Sequence, residues 1–289
     1  MGTYVVGDIH GCYDEWMSLK NKIEEQDENA RFILVGDIVD RGPKVAEMLS
    51  WAMSNITADG KYQMVLGNHE DMKIDWAKQY ALYENDKDKF SRSQFYLEFD
   101  EARFGFQQFC ENNNFTDEQV VDIVDWFTTL PLCIEVLVDY GAKKIPFVIC
   151  HANFDAICLN KEGRMKPELF HKDCKRLTHW SREQFRMLWD RECFGHEWSH
   201  DTLVVHGHTP TLDSELIDRG AYPGRIDFKK KDINVDCGSC FDWFEGANLA
   251  AIRLEDLEEF YARPLVDLEY EESLRDEFKR DMLQELKNK

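Results

Sequence analysis

Three short stretches of this 289-residue sequence gather side chains able to do chemistry. Asp8 and His10 stand two apart in Gly7-Asp8-Ile9-His10-Gly11. Asp37, Asp40 and Arg41 lie in Gly36-Asp37-Ile38-Val39-Asp40-Arg41-Gly42, and Asn68, His69 and Glu70 follow Gly67. Residues two apart in extended backbone project to one side, so Asp8 and His10 can chelate a single cation. Two carboxylates and a guanidinium so close together are poor core material. They make sense if Asp37 holds a cation and Arg41 an anion.

The surrounding elements explain why these groups should meet. Residues 3–6, 31–35 and 62–66 are apolar runs of strand length, each ending in glycine and then in a polar motif. Between them, Trp16, Leu19 and Ile23 recur at helical spacing over 14–25, and Ala46, Leu49 and Met53 do so after Pro43, a residue suited to a first helical turn. Alternating strands and helices imply a largely parallel sheet with right-handed crossovers. The carboxyl ends of its strands lie side by side, where open α/β sheets place ligands. Asp8, His10, Asp37, Asn68 and His69 then converge.

Further along, residues 132–139 and 145–150 read as strands around a turn at Gly141, the second ending at His151-Ala152-Asn153. A strand over 202–205 ends at His206-Gly207-His208-Thr209-Pro210, and another ends at Asp236-Cys237-Gly238. Residues 71–130 read as a mostly helical, aromatic-rich insertion, with Thr116 capping a helix to Thr129. Residues 157–200 read as polar and irregular, and Lys229-Lys230-Lys231 as a solvated strand edge. Beyond a strand over 249–254 the composition becomes charge-dense. Residues 255–289 are expected to form an acidic, helical extension to a catalytic domain spanning 1–254.

A hydrophobic content of 43% supports a sizeable core, and no run approaches the roughly 20 apolar residues of a membrane span. The opening residues enter a strand without a charged and apolar leader, so no secretory signal is expected. Val6 occupies the place where a myristoylated chain carries Ser or Thr. With 35 basic against 56 acidic residues, the net charge of −21 gives no electrostatic reason to bind nucleic acid. Nine scattered cysteines, an odd number, suit reduced thiols in the cytoplasm, and Cys237-Gly238-Ser239-Cys240 lacks the second pair of a structural zinc site.

Gly-Asp-x-His-Gly, Gly-Asp-x-x-Asp-Arg-Gly and Gly-Asn-His-Glu, in this order, resemble the phosphoprotein phosphatase family of metallophosphoesterases. The resemblance extends through His151-Ala152, the Trp189-Asp190-Arg191-Glu192 segment, Gly207-His208-Thr209-Pro210 and Asp236-Cys237-Gly238, over about 3–253. Asn153 departs from the glycine that many members carry. The resemblance implies an α/β fold, a two-sheet sandwich flanked by helices, with a dinuclear metal site on the strand-end loops. Asp8, His10 and Asp37 would hold one divalent ion, and Asp37, Asn68, His151 and His208 the other, with a hydroxide shared between the ions as nucleophile. Nitrogen and oxygen ligands without thiolate suit Mn²⁺ first, with Fe²⁺ or Zn²⁺ compatible. Arg41, Arg191 and Asn68 would bind substrate phosphate. His69, held by Asp40, would be the general acid, and Asp236 would orient a ligand histidine.

The implied reaction is hydrolysis of phosphoserine or phosphothreonine in a phosphoprotein or phosphopeptide, with phosphotyrosine also compatible. The short form resembles the bacterial and phage branch. Symmetrical dinucleoside tetraphosphate hydrolases are the first rival. They share the metal site, but their second motif usually lacks the second Asp, so Asp40 favours the protein phosphatase. A non-catalytic scaffold is the second rival, and such proteins lose ligands or the acid, none of which is missing here.

Overall fold

The computed structural model describes residues 1–75, 109–141, 143–166, 181–191, 198–267 and 274–288. Two five-stranded mixed sheets form its centre. Strands β1 (Thr3–Val6), β2 (Arg31–Leu34) and β3 (Tyr62–Met64) run parallel, linked by helices α1 (Tyr13–Gln26) and α2 (Val45–Asn55). Two antiparallel strands, β9 (Ala250–Arg253) and β10 (Glu258–Tyr261), complete this sheet in the order β10-β9-β1-β2-β3. The second sheet has the order β4-β5-β6-β8-β7, built from β4 (Cys133–Asp139), β5 (Lys144–Cys150), β6 (Leu203–His206), β7 (Asp227–Lys229) and β8 (Asp232–Asn234).

Side-chain alternation along each strand assigns the layers. Val5, Ile33, Phe147, Ile149, Val205 and Ile233 fill the space between the sheets. Tyr4, Val6, Phe32 and Leu34 face the other way and pack under Trp16, Leu19 and Ile23 of α1 and Met48 and Leu49 of α2. The fold is therefore the expected sandwich with helices outside. Each βα connection returns to the same edge, which brings the loops after β1, β2 and β3 together.

Several local expectations change. The helix Arg182–Trp189 interrupts the stretch read as irregular, and its start is fixed by Ser181 and Gln184, which form a capping box. Thr116 caps Asp117–Thr129 by the same device, as expected. Within the stretch 255–289 read as a helical extension, residues 258–261 form β10, hydrogen-bonded along β9. The acidic residues Glu258 and Glu259 hide this strand in the sequence, and Glu259 is neutralised by Arg275 (2.6 Å) and Lys279. The charged C-terminal segment does form a helix, Leu274–Asn288, which packs on β7 and buries Met282 and Leu286. β7 is an edge strand, but Lys229 is not solvated. It is buried, and its Nζ donates to the Arg219 carbonyl at 2.9 Å. The core aromatics expected over 76–108 lie outside the described residues. No helix among the described residues is long and apolar enough to cross a membrane.

Arg275 is buried, and its guanidinium donates both to the Ile226 carbonyl (2.8 Å) and to Glu259, so it ties the C-terminal helix to both sheets. Removing one partner from a buried ion pair leaves an uncompensated charge. Because Lys279 still serves Glu259, Arg275→Met should cost about 2–3 kcal/mol in urea unfolding, below the full penalty for breaking a buried pair. A loss under about 0.5 kcal/mol, typical of a surface substitution, would show that the helix is not anchored there.

Candidate metal centre

The loops after β1 and β2 are stitched together by backbone hydrogen bonds. His10 N–H donates to the Asp37 carbonyl at 2.8 Å, Gly11 N–H to Ile38 at 2.9 Å, and Gly42 N–H back to His10 at 2.8 Å. Close approach of the next loop requires glycine: a Cβ at Gly36, whose φ is +102°, would lie 2.6 Å from Gly67. His10, Asp37, Asp40, Arg41 and His208 all take positive φ without being glycine, a conformation that costs energy and collects at functional sites.

Asp37 stands at the middle. Its Oδ2 lies 3.6 Å from His10 Nε2 and 3.8 Å from His69 Nε2, while its Oδ1 lies 3.5 Å from His151 Nε2. Two trios able to hold a cation result, His10–Asp37–His69 and Asp37–His151–His208, sharing one carboxylate. Asn68 joins the second trio, with its Oδ1 2.8 Å from His151 Nε2 and 3.0 Å from His208 Nδ1. Asp8 belongs to neither trio. Its carboxylate accepts from His208 N–H at 3.1 Å, beside Asp37 and Asp236.

The histidines are prepared as ligands by one recurring device. His10 Nδ1 donates to the Val39 carbonyl (2.8 Å) and His151 Nδ1 to the Val35 carbonyl (2.9 Å). A carbonyl can only accept, so Nε2 of each neutral ring carries the lone pair and faces Asp37. Burial holds both rings neutral and takes His10 down to about 3. Burial, then His151, does the same for His208, also to about 3.

The acids behave differently. Burial, then the charges of Asp236 and Asp37, push Asp8 well up, and burial pushes Asp236 to about 6. Asp37 goes the other way: burial opposes ionisation, but His151, His69 and His10 around it and the N–H of His69 keep it far below the usual range. Clustered buried carboxylates, with neutral imidazoles showing lone pairs between them, form a donor set that a divalent cation satisfies. Nitrogen and oxygen donors without thiolate are the chemistry expected of such a site.

The remaining site residues divide. His69 Nδ1 meets Asp40 Oδ2 at 2.6 Å, as expected. Arg41 directs Nη1 to His10 Nε2 (2.9 Å) and Nη2 to His69 Nε2 (3.3 Å). Arg191 is exposed at the end of its helix, near enough to His208 for its charge to help lower that ring's pKa. Asn153, where many members of the resembled family carry glycine, does not take positive φ. Its N–H donates to the Arg186 carbonyl, and its side chain spans Phe154 N–H and Asp190. Asp236 shows no bond to a histidine among the described residues: its Oδ1 accepts from Gly238 N–H at 3.0 Å and closes a turn. His206 is turned away from the trios, toward Asp232 at 3.2 Å.

The roles of two residues escaped the sequence reading. Glu70, fully buried, takes N–H groups from Asp37 (2.8 Å), Ile38 (2.9 Å) and Gly67 (3.1 Å), and so clamps the β2 and β3 loops. Burial and then Asp37 push its carboxyl up to about 8. Lys73, one helical turn after His69, donates to the same Asp40 oxygen at 2.5 Å and lies 5.2 Å from the Phe109 ring centroid. The helical i,i+4 spacing from His69 was the available signal.

The calcineurin-like phosphoesterase family model matches residues 1–236, and the chain belongs to that family. Among curated relatives, a symmetrical bis(5'-nucleosyl)-tetraphosphatase of Methylobacillus flagellatus is 43% identical over 70 residues, 24% of either chain. One of Buchnera aphidicola is 38% identical over 87 residues, 30% of this chain and 29% of its own. The chain thus matches under a third of the length of these two relatives. The asymmetrical bis(5'-nucleosyl)-tetraphosphatase PrpE of Oceanobacillus iheyensis is 23% identical over 263 residues, covering 88% of this chain and 89% of its own. A Saccharomyces cerevisiae protein serine/threonine phosphatase shares the fold at a TM-score of 0.51 and 14% identity, covering 94% of this chain and 81% of its own.

Since Asp37 belongs to both trios, Asp37→Asn should lower bound metal at both positions when metal-stripped protein is reloaded and assayed by elemental analysis. His208→Ala should lose one equivalent, whereas His206→Ala should keep the wild-type content. The opposite order for the two histidines would reverse their assignment.

Proposed function

We propose that this member of the family hydrolyses phosphoserine and phosphothreonine monoesters in proteins. Two divalent cations, when bound, would supply an activated water and neutralise phosphoryl charge. Asp8, His10 and Asp37 would hold one, and Asp37, Asn68, His151 and His208 the other.

The chain's own groups do the rest. The Arg41 fork, aimed between the His10 and His69 rings, offers paired donors to phosphoryl oxygens. Arg191, near His208, adds a second cation, and the Asn68 amide nitrogen can donate to the same group. His69 Nδ1 is committed to Asp40, so Nε2 is the ring nitrogen left to face the leaving oxygen and pass it a proton. Burial works against the charge on Asp40, but the hydrogen bond from His69 and the nearby Lys73 keep it ionised and below the usual carboxylate range. An ionised Asp40 accepts from the ring and fixes its direction.

The observation that carries this reading is the 2.6 Å His69–Asp40 contact. A serine alkoxide is strongly basic and needs a proton as it leaves. A nucleotide phosphate leaving from an anhydride is weakly basic and does not. A held acid therefore supports an alkyl ester as substrate. The relatives named as tetraphosphatases support a second reading, hydrolysis of a dinucleoside tetraphosphate. Initial rates on phosphopeptides and on diadenosine tetraphosphate, with Mn²⁺ restored to metal-stripped protein, separate the two.

His69→Asn should keep its metal yet lose about 10²–10⁴-fold on a phosphoserine peptide, the usual worth of a general acid. It should lose far less on p-nitrophenyl phosphate, whose phenolate leaves readily. Asp40→Asn should show the same bias more weakly. Equal losses on both substrates at full metal content would remove the acid role from His69.

A further inference from the structure

The loop after Asp236 carries chemistry that phosphoryl transfer does not use. The Phe241 ring lies 5.7 Å from the Arg41 guanidinium carbon. Trp243 meets Phe241 edge-on at 5.9 Å and Phe244 at 6.0 Å, yet is itself 76% exposed. Asp242 and Glu245 alternate with these rings and are exposed, and neither has an ion-pair partner among the described residues.

The loop is a firm mount. Ser239 Oγ donates to the Asp8 carbonyl at 2.6 Å, Phe241 N–H to Gly238 at 3.0 Å, Phe244 N–H to Phe241 at 2.9 Å, and Ala247 N–H to Phe244 at 3.1 Å. An indole held out at the rim, one ring away from the proposed phosphate-binding arginine, has nothing among the described residues to cover it. A group attached to a phosphate held by Arg41 is within reach of it. Two carboxylates beside an indole face suit a guanidinium, which can stack on the ring while pairing with acids. They repel a polyphosphate, whose own charges would follow a stacked base onto the loop.

We infer that residues 240–245 form a subsite for an arginine flanking the phosphorylated residue of a peptide substrate, with Trp243 as its platform and Asp242 and Glu245 as its counter-charges. The inference rests on the phosphopeptide reading and narrows it to sequences with a basic flank.

Two phosphoserine peptides differing only in one flanking residue, arginine or glutamate, test it by steady-state kinetics at several salt concentrations. The wild type should prefer the arginine peptide through a lower KM, and the preference should shrink as salt rises. Trp243→Ala should raise KM for the arginine peptide about 3–30-fold, the range of one cation–π contact, with kcat changed less than KM. It should thereby narrow the difference between the peptides. Trp243→Phe should restore part of the preference, and Asp242→Asn with Glu245→Gln should weaken both the preference and its salt dependence. If Trp243→Ala slows both peptides by one factor, or neither, the subsite is wrong while the phosphopeptide reading stands. A wild type that turns over neither peptide but cleaves diadenosine tetraphosphate overturns that reading and the subsite with it.

Discussion

Everything at this site follows from crowding four carboxyl groups, Asp8, Asp37, Glu70 and Asp236, into the buried junction of the strand ends. Burial disfavours the charged form of each, and three of them respond as expected by shifting upward. Only Asp37 shifts downward against its burial, with His151, His69 and His10 around it and the His69 N–H donating to it. One carboxylate, with separate oxygens turned to separate histidine groups, defines the centre. The His10 and His151 rings beside it are held neutral by burial and present lone pairs. Such an arrangement is costly for a protein alone and favourable for one that binds divalent cations.

The backbone is shaped to hold that crowd. Five site residues accept positive φ, which natural chains tolerate where surrounding contacts dictate it. Glu70 supplies much of that dictation by gathering three N–H groups from two loops. The same economy appears at Asp40, where a single carboxylate oxygen receives both His69 and Lys73. Helical spacing puts these two donors on one face, so the helix that opens at the third motif both places the Asn68 amide beside the second trio and fixes the His69 ring.

Much of this was legible in the sequence because the motifs sit directly at strand ends. Once Gly7-Asp8, Gly36-Asp37 and Gly67-Asn68 follow three parallel strands, topology alone brings Asp37 near His10 and His69. His151 and His208 were legible for the same reason, each following an apolar strand of the second sheet. What the sequence concealed depends on partners far along the chain. β10 reads as charged tail because Glu259 is neutralised only when Arg275 and Lys279 return to it. Lys229 reads as solvated because its cover is the C-terminal helix. The helix Arg182–Trp189 hid among polar residues, although Ser181 and Gln184 spell its capping box. Asp236 looked like a histidine orienter, and only the loop geometry shows it serving Gly238 N–H.

Electron paramagnetic resonance of the Mn²⁺-loaded protein tests the bridging role of Asp37 most directly, since two Mn²⁺ ions sharing a carboxylate are spin-coupled. At two equivalents per chain, the wild type should give an exchange-coupled spectrum, and Asp37→Asn should lose it. A simple six-line spectrum of isolated Mn²⁺ at full loading, or coupling that survives in Asp37→Asn, would contradict a centre built around that residue.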